Sequence, residues 1–142
     1  MFMGTYTHAM DEKGRLIIPA RIREELGEGF ILTKNLDHCL GIYPAEGWKK
    51  FVEAVGTLPK ISSEAARRLR RFYFGNSLTC EVDKQGRILI PGPLREFAGL
   101  SRDITMVGVD DHVEIWDTAV WNKYNAELDV DDLMDELGAL NL

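Results

Sequence analysis

Residues 11–27 read DEKGRLIIPARIREELG, and residues 83–99 read DKQGRILIPGPLREFAG. The two stretches lie 72 residues apart and share Asp11/Asp83, Gly14/Gly86, Arg15/Arg87, Ile18/Ile90, Pro19/Pro91, Arg23/Arg95, Glu24/Glu96 and Gly27/Gly99. Leu16/Ile88, Ile17/Leu89 and Ile22/Leu94 agree in kind. After one inserted residue the match resumes, with residues 40–43 (LGIY) against 113–116 (VEIW) and Trp48 against Trp121. Agreement in this order at a fixed offset is the mark of a tandem duplication. Each unit spans about 45 residues.

The repeated unit has a readable local structure. Asp-x-x-Gly-Arg predicts a tight turn, because Asp can bond the backbone ahead of it and Gly supplies a positive φ. Residues 15–18 and 87–90 are short apolar, β-branched runs closed by proline, which predicts strands. Residues 19–26 and 93–98 then suit one or two helical turns ended by Gly27 and Gly99. Second strands are predicted at 30–33 and 104–107, polar turns at 35–38 and 109–112, and third strands at 40–43 and 113–116. Short helices carrying Trp48/Phe51 and Trp121/Tyr124 close the units. Aromatics at i and i+3 serve most simply as core anchors. Between the units, residues 62–74 predict a serine-capped helix. The expected segments are a first unit at 5–47, a helical linker at 48–76, a second unit at 77–120 and a C-terminal helix with an acidic tail at 121–142. A three-stranded unit cannot bury both faces of its sheet, whereas two units together can close a small barrel with no exposed edges. The expected class is therefore α+β and β-rich, a duplicated barrel with short peripheral helices.

Composition bounds the function. With 142 residues, 45% of them hydrophobic and 28% charged, the chain has the make-up of an ordinary globular protein. No apolar run suggests a membrane span, and the opening MFMGTYTH has no basic start and no sustained apolar stretch, so it does not read as a secretory signal. Two cysteines, Cys39 and Cys80, without CxxC spacing fit buried thiols in a reducing cytoplasm. The net charge of −6 is unevenly spread. Residues 1–76 carry 12 Lys/Arg against 9 Asp/Glu, whereas 77–142 carry 5 against 14. Glu127, Asp129, Asp131, Asp132, Asp135 and Glu136 fall within the last 18 residues, and the rest of the chain is neutral. The acidic total therefore leaves room for a local basic surface. Residues 130–140 pair that acidity with apolar residues at 130, 133, 134 and 137. They read either as an amphipathic helix for a partner or second subunit, or as a disordered tail.

With those residues in hand, the run Met3-Gly-x-Tyr6, His8-x-x-Asp11-x-Lys13-Gly14-Arg15-Leu-Ile-Ile-Pro19 and its second copy Asp83-x-x-Gly86-Arg87-Ile-Leu-Ile-Pro91 closely resemble the MraZ family. Paired Asp-x-x-x-Arg motifs are that family's hallmark, and the likeness extends to about Tyr124. Single units also resemble the SpoVT-AbrB domain of transition-state regulators and many antitoxins. The resemblance implies a swapped-hairpin barrel of the AbrB type. It implies a cytoplasmic, nucleoid-associated transcriptional regulator, a repressor, acting on the promoter of the division and cell wall gene cluster that holds its own gene. Its implied partners are double-stranded promoter DNA carrying short direct repeats, and further copies of itself in a ring-like homo-oligomer such as an octamer.

The candidate DNA-binding residues are Lys13, Arg15, Lys84 and Arg87, with Arg21, Arg23 and Arg95 as weaker ones. An arginine just past a tight turn projects a fork suited to phosphate or to bidentate reading of guanine. Lys13 adds charge without that geometry. In the second copy Gln85 takes its place and Lys84 takes that of Glu12, so the charge moves by one position. The other reading is structural: Asp11 with Arg15, and Asp83 with Arg87, staple their turns, with Gly14 and Gly86 as the turn residues. Arg23-Glu24 and Arg95-Glu96 can equally be solvated helix surface, and the run Arg67, Arg68, Arg70, Arg71 suits a subunit contact as well as nucleic acid.

Catalysis finds little support. Two symmetry-related aspartates invite comparison with a proton-sharing dyad, but an arginine four residues on holds both ionised. His8, His38 and His112 lack metal-ligand spacing, and no GxSxG, Walker A or GxGxxG pattern occurs. The expectation is a non-enzyme without metal, cofactor, membrane or small-molecule substrate. The alternative function is an antitoxin-like or scaffold module that binds a protein through its tail.

Overall fold

In a computed structural model, residues 1–59 and 61–140 are described. The first unit runs β1 (Thr5–Ala9), β2 (Arg15–Ile17), α1 (Ala20–Leu26), β3 (Ile31–Lys34), a 3-10 turn (Leu36–His38), β4 (Leu40–Tyr43) and α2 (Ala45–Gly56). Helix α3 (Glu64–Phe74) follows. The second unit repeats the order with β5 (Leu78–Thr79), β6 (Arg87–Leu89), α4 (Gly92–Ala98), β7 (Asp103–Gly108), β8 (Val113–Asp117) and α5 (Thr118–Ala126), and α6 (Val130–Ala139) ends it. The fold is α+β, as its sequence suggests.

Six strands form one antiparallel sheet in the order β1-β7-β8-β4-β3-β5, and β2 pairs with β6 in a separate ribbon. The order is a palindrome in which each strand faces its repeat equivalent across a pseudo-two-fold axis. Leu16 pairs with its own counterpart Ile88 in the ribbon, and Gly41 with its counterpart Glu114 between β4 and β8. The axis passes through both pairs. The units interlock, since β1 lies on β7 and β5 on β3. The pairing differs from a closed circuit. Among the described residues β1 and β5 are sheet edges, and the ribbon joins β1 only through the Met10–Leu16 bridge. Two residues of β5 are too few to carry the ladder round.

Alternation explains what the sheet and ribbon bury. Leu16 and Ile88 turn inward from the ribbon and join Ile18, Leu32, Leu40, Ile42, Ile90, Ile104, Met106, Val113 and Ile115 in one core, all of them fully buried. Both units supply these side chains in nearly equal share, so neither has a core of its own. Each such side chain contributes roughly 1.5–3 kcal/mol by leaving water. Helices α1 and α4 seal the core through Ile22/Leu26 and Leu94/Ala98, an i, i+4 spacing that sets two side chains on one face. A proline precedes each helix, and a glycine of positive φ ends each. The aromatic anchors lie over β4 and β8: Tyr43 contacts Trp48 and Phe51, and Trp116 contacts Trp121 and Tyr124. Helix α3, capped by the side chain of Ser63, adds Tyr73 and Phe74 to the first cluster. Helix α6 exposes Val130, Leu133 and Met134, with Leu140 just past its end. No helix among the described residues is long and apolar enough to cross a membrane.

Candidate nucleic-acid interface

One carboxylate closes each repeated turn with three hydrogen bonds. Asp11 Oδ1 accepts from the backbone amides of Lys13 (3.0 Å) and Arg15 (2.9 Å), and Oδ2 accepts from Arg15 Nε (2.6 Å). Asp83 Oδ1 accepts from the amides of Gln85 and Arg87 (both 2.9 Å), and Oδ2 from Arg87 Nε (2.8 Å). Gly14 and Gly86 donate to the carbonyls of Asp11 and Asp83, each at 3.0 Å. Their φ angles of +85° and +75° are the conformation a Cβ disfavours. The spacing thus has a reason: the carboxylate must reach amides two and four residues ahead, and the chain reverses at glycine. The arginine amide above all holds the carboxyls of Asp11 and Asp83 below the usual carboxylate range; desolvation opposes it, and the arginine side chain adds to the lowering.

With Nε held by its aspartate, each arginine keeps two terminal nitrogens that have no hydrogen-bond partner among the described residues. The ribbon then sets the spacing between the two forks. Arg15 pairs with Leu89 and Ile17 with Arg87, so these four residues share the face opposite Leu16 and Ile88. Ile17 and Leu89 are 43% and 59% exposed, large values for apolar residues of a strand. The outer face is therefore a diagonal pair of guanidinium forks crossed by a diagonal pair of apolar side chains. Lys13, Lys84 and Glu12 are exposed on the turn rims.

The remaining candidates are placed differently. Arg21 lies on α1 and lines a small depression with Met1, Phe2, Tyr6 and Glu25, away from both turns. Arg23 is half-buried, and its Nε donates to the Ile18 carbonyl at 2.9 Å. Its counterpart Arg95 is also half-buried and lines a cleft of about 580 Å³ with Asp11, Glu12 and Arg102. Sequence reasoning missed Arg102. Its carbonyl accepts from the Met10 amide, so strand pairing between units brings it beside the first turn, a proximity without any local signal. On α3, Arg68 pairs with Glu64, Arg67 reaches the Ile61 carbonyl, and Arg70 lies over the Phe74 ring. Among the described residues no three His, Cys, Asp or Glu side chains group as metal ligands. His38 packs on Phe97, and His112 stacks on Tyr43. Both cysteines are free and buried. Burial pushes the Cys80 thiol up to about 11 and raises that of Cys39 as well, so neither is poised as a nucleophile.

Comparison with known proteins accords with this geometry. Residues 1–72 and 73–138 each match the family model described as "MraZ protein, putative antitoxin-like". A protein of Desulfitobacterium hafniense named "Transcriptional regulator MraZ" is 54% identical over 127 residues, which cover 89% of this chain and 88% of that protein. One of the same name from Thermoanaerobacter sp. is 47% identical over 144 residues, covering the whole of both chains. A third, from Heliobacterium modesticaldum, is 53% identical over 88% of this chain and 87% of its own. The two interlocked units, each with its aspartate-stapled arginine turn, belong to the MraZ family.

Proposed function

We propose that this protein is a sequence-specific, DNA-binding transcriptional regulator that lays its β2–β6 ribbon in the major groove. The observation that carries the reading is the ribbon's outer face. The major groove of B-DNA admits a two-stranded ribbon. Arg15 and Arg87 offer terminal nitrogens for guanine edges or phosphates, while Ile17 and Leu89 offer apolar contact for thymine methyl groups. The aspartates reduce the ordering cost of binding by orienting the forks beforehand. Lys13 and Lys84 add electrostatic contacts at the rims, and Arg21 is left as a peripheral one. The relatives' shared name, transcriptional regulator, supports the same reading.

The rest of the proposal follows from resemblance to the family. The protein acts as a cytoplasmic, nucleoid-associated repressor of the division and cell wall gene cluster that includes its own gene. It binds short direct repeats as a ring-like homo-oligomer and catalyses nothing. The interlocked units take the family's swapped-hairpin, AbrB-like arrangement with the ladder open at β1 and β5, and the exchange of these two strands between units is the supporting feature. One protomer presents few cations, so several copies on repeated sites supply the affinity. The test is binding to a promoter fragment with direct repeats across a salt series. Folded Arg15→Ala should bind more weakly, with a salt slope shallower by ~1 for each phosphate that the arginine no longer neutralises. Unchanged affinity would sink the assignment.

A second reading has one observation in its favour. Exposed Val130, Leu133, Met134 and Leu140 on or beside an acidic helix suit a protein contact, as in an antitoxin-like or scaffold module. Deleting residues 129–142 discriminates. Failure to assemble assigns α6 to self-association, whereas intact assembly and DNA binding with loss of a protein partner supports the second reading.

A further inference from the structure

Each glycine turn is covered by an arginine of the other unit. A Cβ on Gly86 would lie 2.9 Å from Cζ of Arg23 and 3.0 Å from its Nη1. A Cβ on Gly14 would lie 2.9 Å from both Cζ and Nε of Arg95, and 2.8 Å from the Ile90 carbonyl oxygen. Gly14 and Gly86 are buried while Lys13, Lys84 and Gln85 beside them are exposed. Two backbone bonds run across the same junction, from the Ile18 amide to the Gly86 carbonyl at 3.0 Å and from the Ile90 amide to the Gly14 carbonyl at 2.8 Å. On one side the clamp closes on itself. Arg23 donates to the carbonyl of Ile18, whose amide holds Gly86. On the other, Arg95 Nε is buried without a hydrogen-bond partner among the described residues.

We infer that Arg23 and Arg95 are positioning residues that act crosswise: Arg23 of the first unit sets the turn that presents Arg87, and Arg95 of the second sets the turn that presents Arg15. A flat guanidinium fits against a glycine Cα where an ammonium on a flexible stem does not. Gly14 and Gly86 therefore serve two ends, permitting the positive φ and leaving room for the opposite arginine. Each clamp fixes its own turn against the opposite unit, so that each fork is held in place as a binding surface requires. The asymmetry at Nε leaves the Arg95 clamp one hydrogen bond short, so the first turn is the more adaptable of the two.

The inference rests on the DNA-binding reading, and crossed double-mutant cycles test it. Arg95→Lys keeps the charge and should raise Kd about tenfold, equivalent to about 1.4 kcal/mol. In an Arg15→Ala background that effect should vanish, while in an Arg87→Ala background it should persist in full. Arg23→Lys should show the reverse pattern. Additive effects in all four combinations, or coupling of each arginine to the turn of its own unit, overturn the inference. A second measurement needs no DNA. In TROSY spectra of the whole protein, Arg95→Lys should move the Gly14 amide and the Arg15 Nε–H signal and leave Gly86 in place, with Arg23→Lys doing the opposite. Equal movement at both glycines also overturns it. Should Arg15→Ala and Arg87→Ala leave Kd unchanged, the DNA reading fails while these spectra still decide the clamp.

Discussion

The turn at Asp11–Arg15 and the turn at Asp83–Arg87 share every backbone and carboxylate bond, yet their surroundings differ. The rim of the first carries Lys13, while the second has Gln85 there and Lys84 one residue earlier. Arg15 leaves 37% of its side chain open and Arg87 only 24%. The contrast widens farther out, where the aromatic cluster of the first unit is covered by basic α3 and that of the second borders acidic α6. Tyr124 is 49% exposed there, whereas its counterpart Phe51 is half-buried. Duplication thus preserved what sets geometry and let vary what sets charge and partners. By that division, changes at the shared centre should affect both units alike, and changes at the rims should separate them.

The largest effect is expected at the centre. Leu16 and Ile88 face each other on the pseudo-axis and are fully buried. Leu16→Ala or Ile88→Ala should each cost ~2–5 kcal/mol, the usual range for truncating a large buried aliphatic side chain. Urea unfolding should show a single transition for both. Two separable transitions, one for each unit, would break the idea of a shared core.

Next come the stapling carboxylates. Their ionisation is favoured in the folded turn, so they stabilise it above the ordinary aspartate pKa of about 3.9. That contribution is lost as pH falls through the depressed folded values. Asp11→Asn and Asp83→Asn should lower the urea midpoint at pH 7, and the gap to the parent protein should close progressively below about pH 4. The two variants should behave alike, because the donor sets match. A gap independent of pH would show that the charge of the carboxylates contributes nothing to the turns.

Much of this was legible in the sequence, because duplication doubles every local signal. The turn, the strand behind it and the glycine-ended helix each appear twice, and Trp48 and Trp121 announce their aromatic clusters. Strands β1 and β5 were not legible. Residues 5–9 alternate between exposed and half-buried positions without any large aliphatic side chain, and their register is set by β7, almost a hundred residues away. Strand β5 has two residues and leans on β3 of the other unit. The closed barrel expected from sequence rested on the assumption that every edge is paired, and these two short edges leave the ladder open. Arg23-Glu24 reads as helix surface for a similar reason. Helical periodicity shows which way a side chain leaves its helix, and it cannot show that another unit's glycine lies beneath. The identity of Arg23 and Arg95 at one offset was the signal available.

The smallest effect is the sharpest probe of the comparison. Lys13 and Lys84 are both exposed and make no ion pair among the described residues, so neither has a structural duty. They differ in register: Lys13 lies two residues before Arg15, whereas Lys84 lies three before Arg87. A lysine at a rim is a point charge that contributes through counterion release, worth about one unit of salt slope per phosphate contact. Lys13→Gln turns the first rim toward the second in character, and should weaken DNA binding only a few-fold while lowering the slope by ~1. Lys84→Gln should do the same only if the shifted position also reaches a phosphate. A difference between the two variants identifies the first turn as the deeper contact. Equal weakening means that the duplicated turns bind DNA symmetrically despite the moved charge.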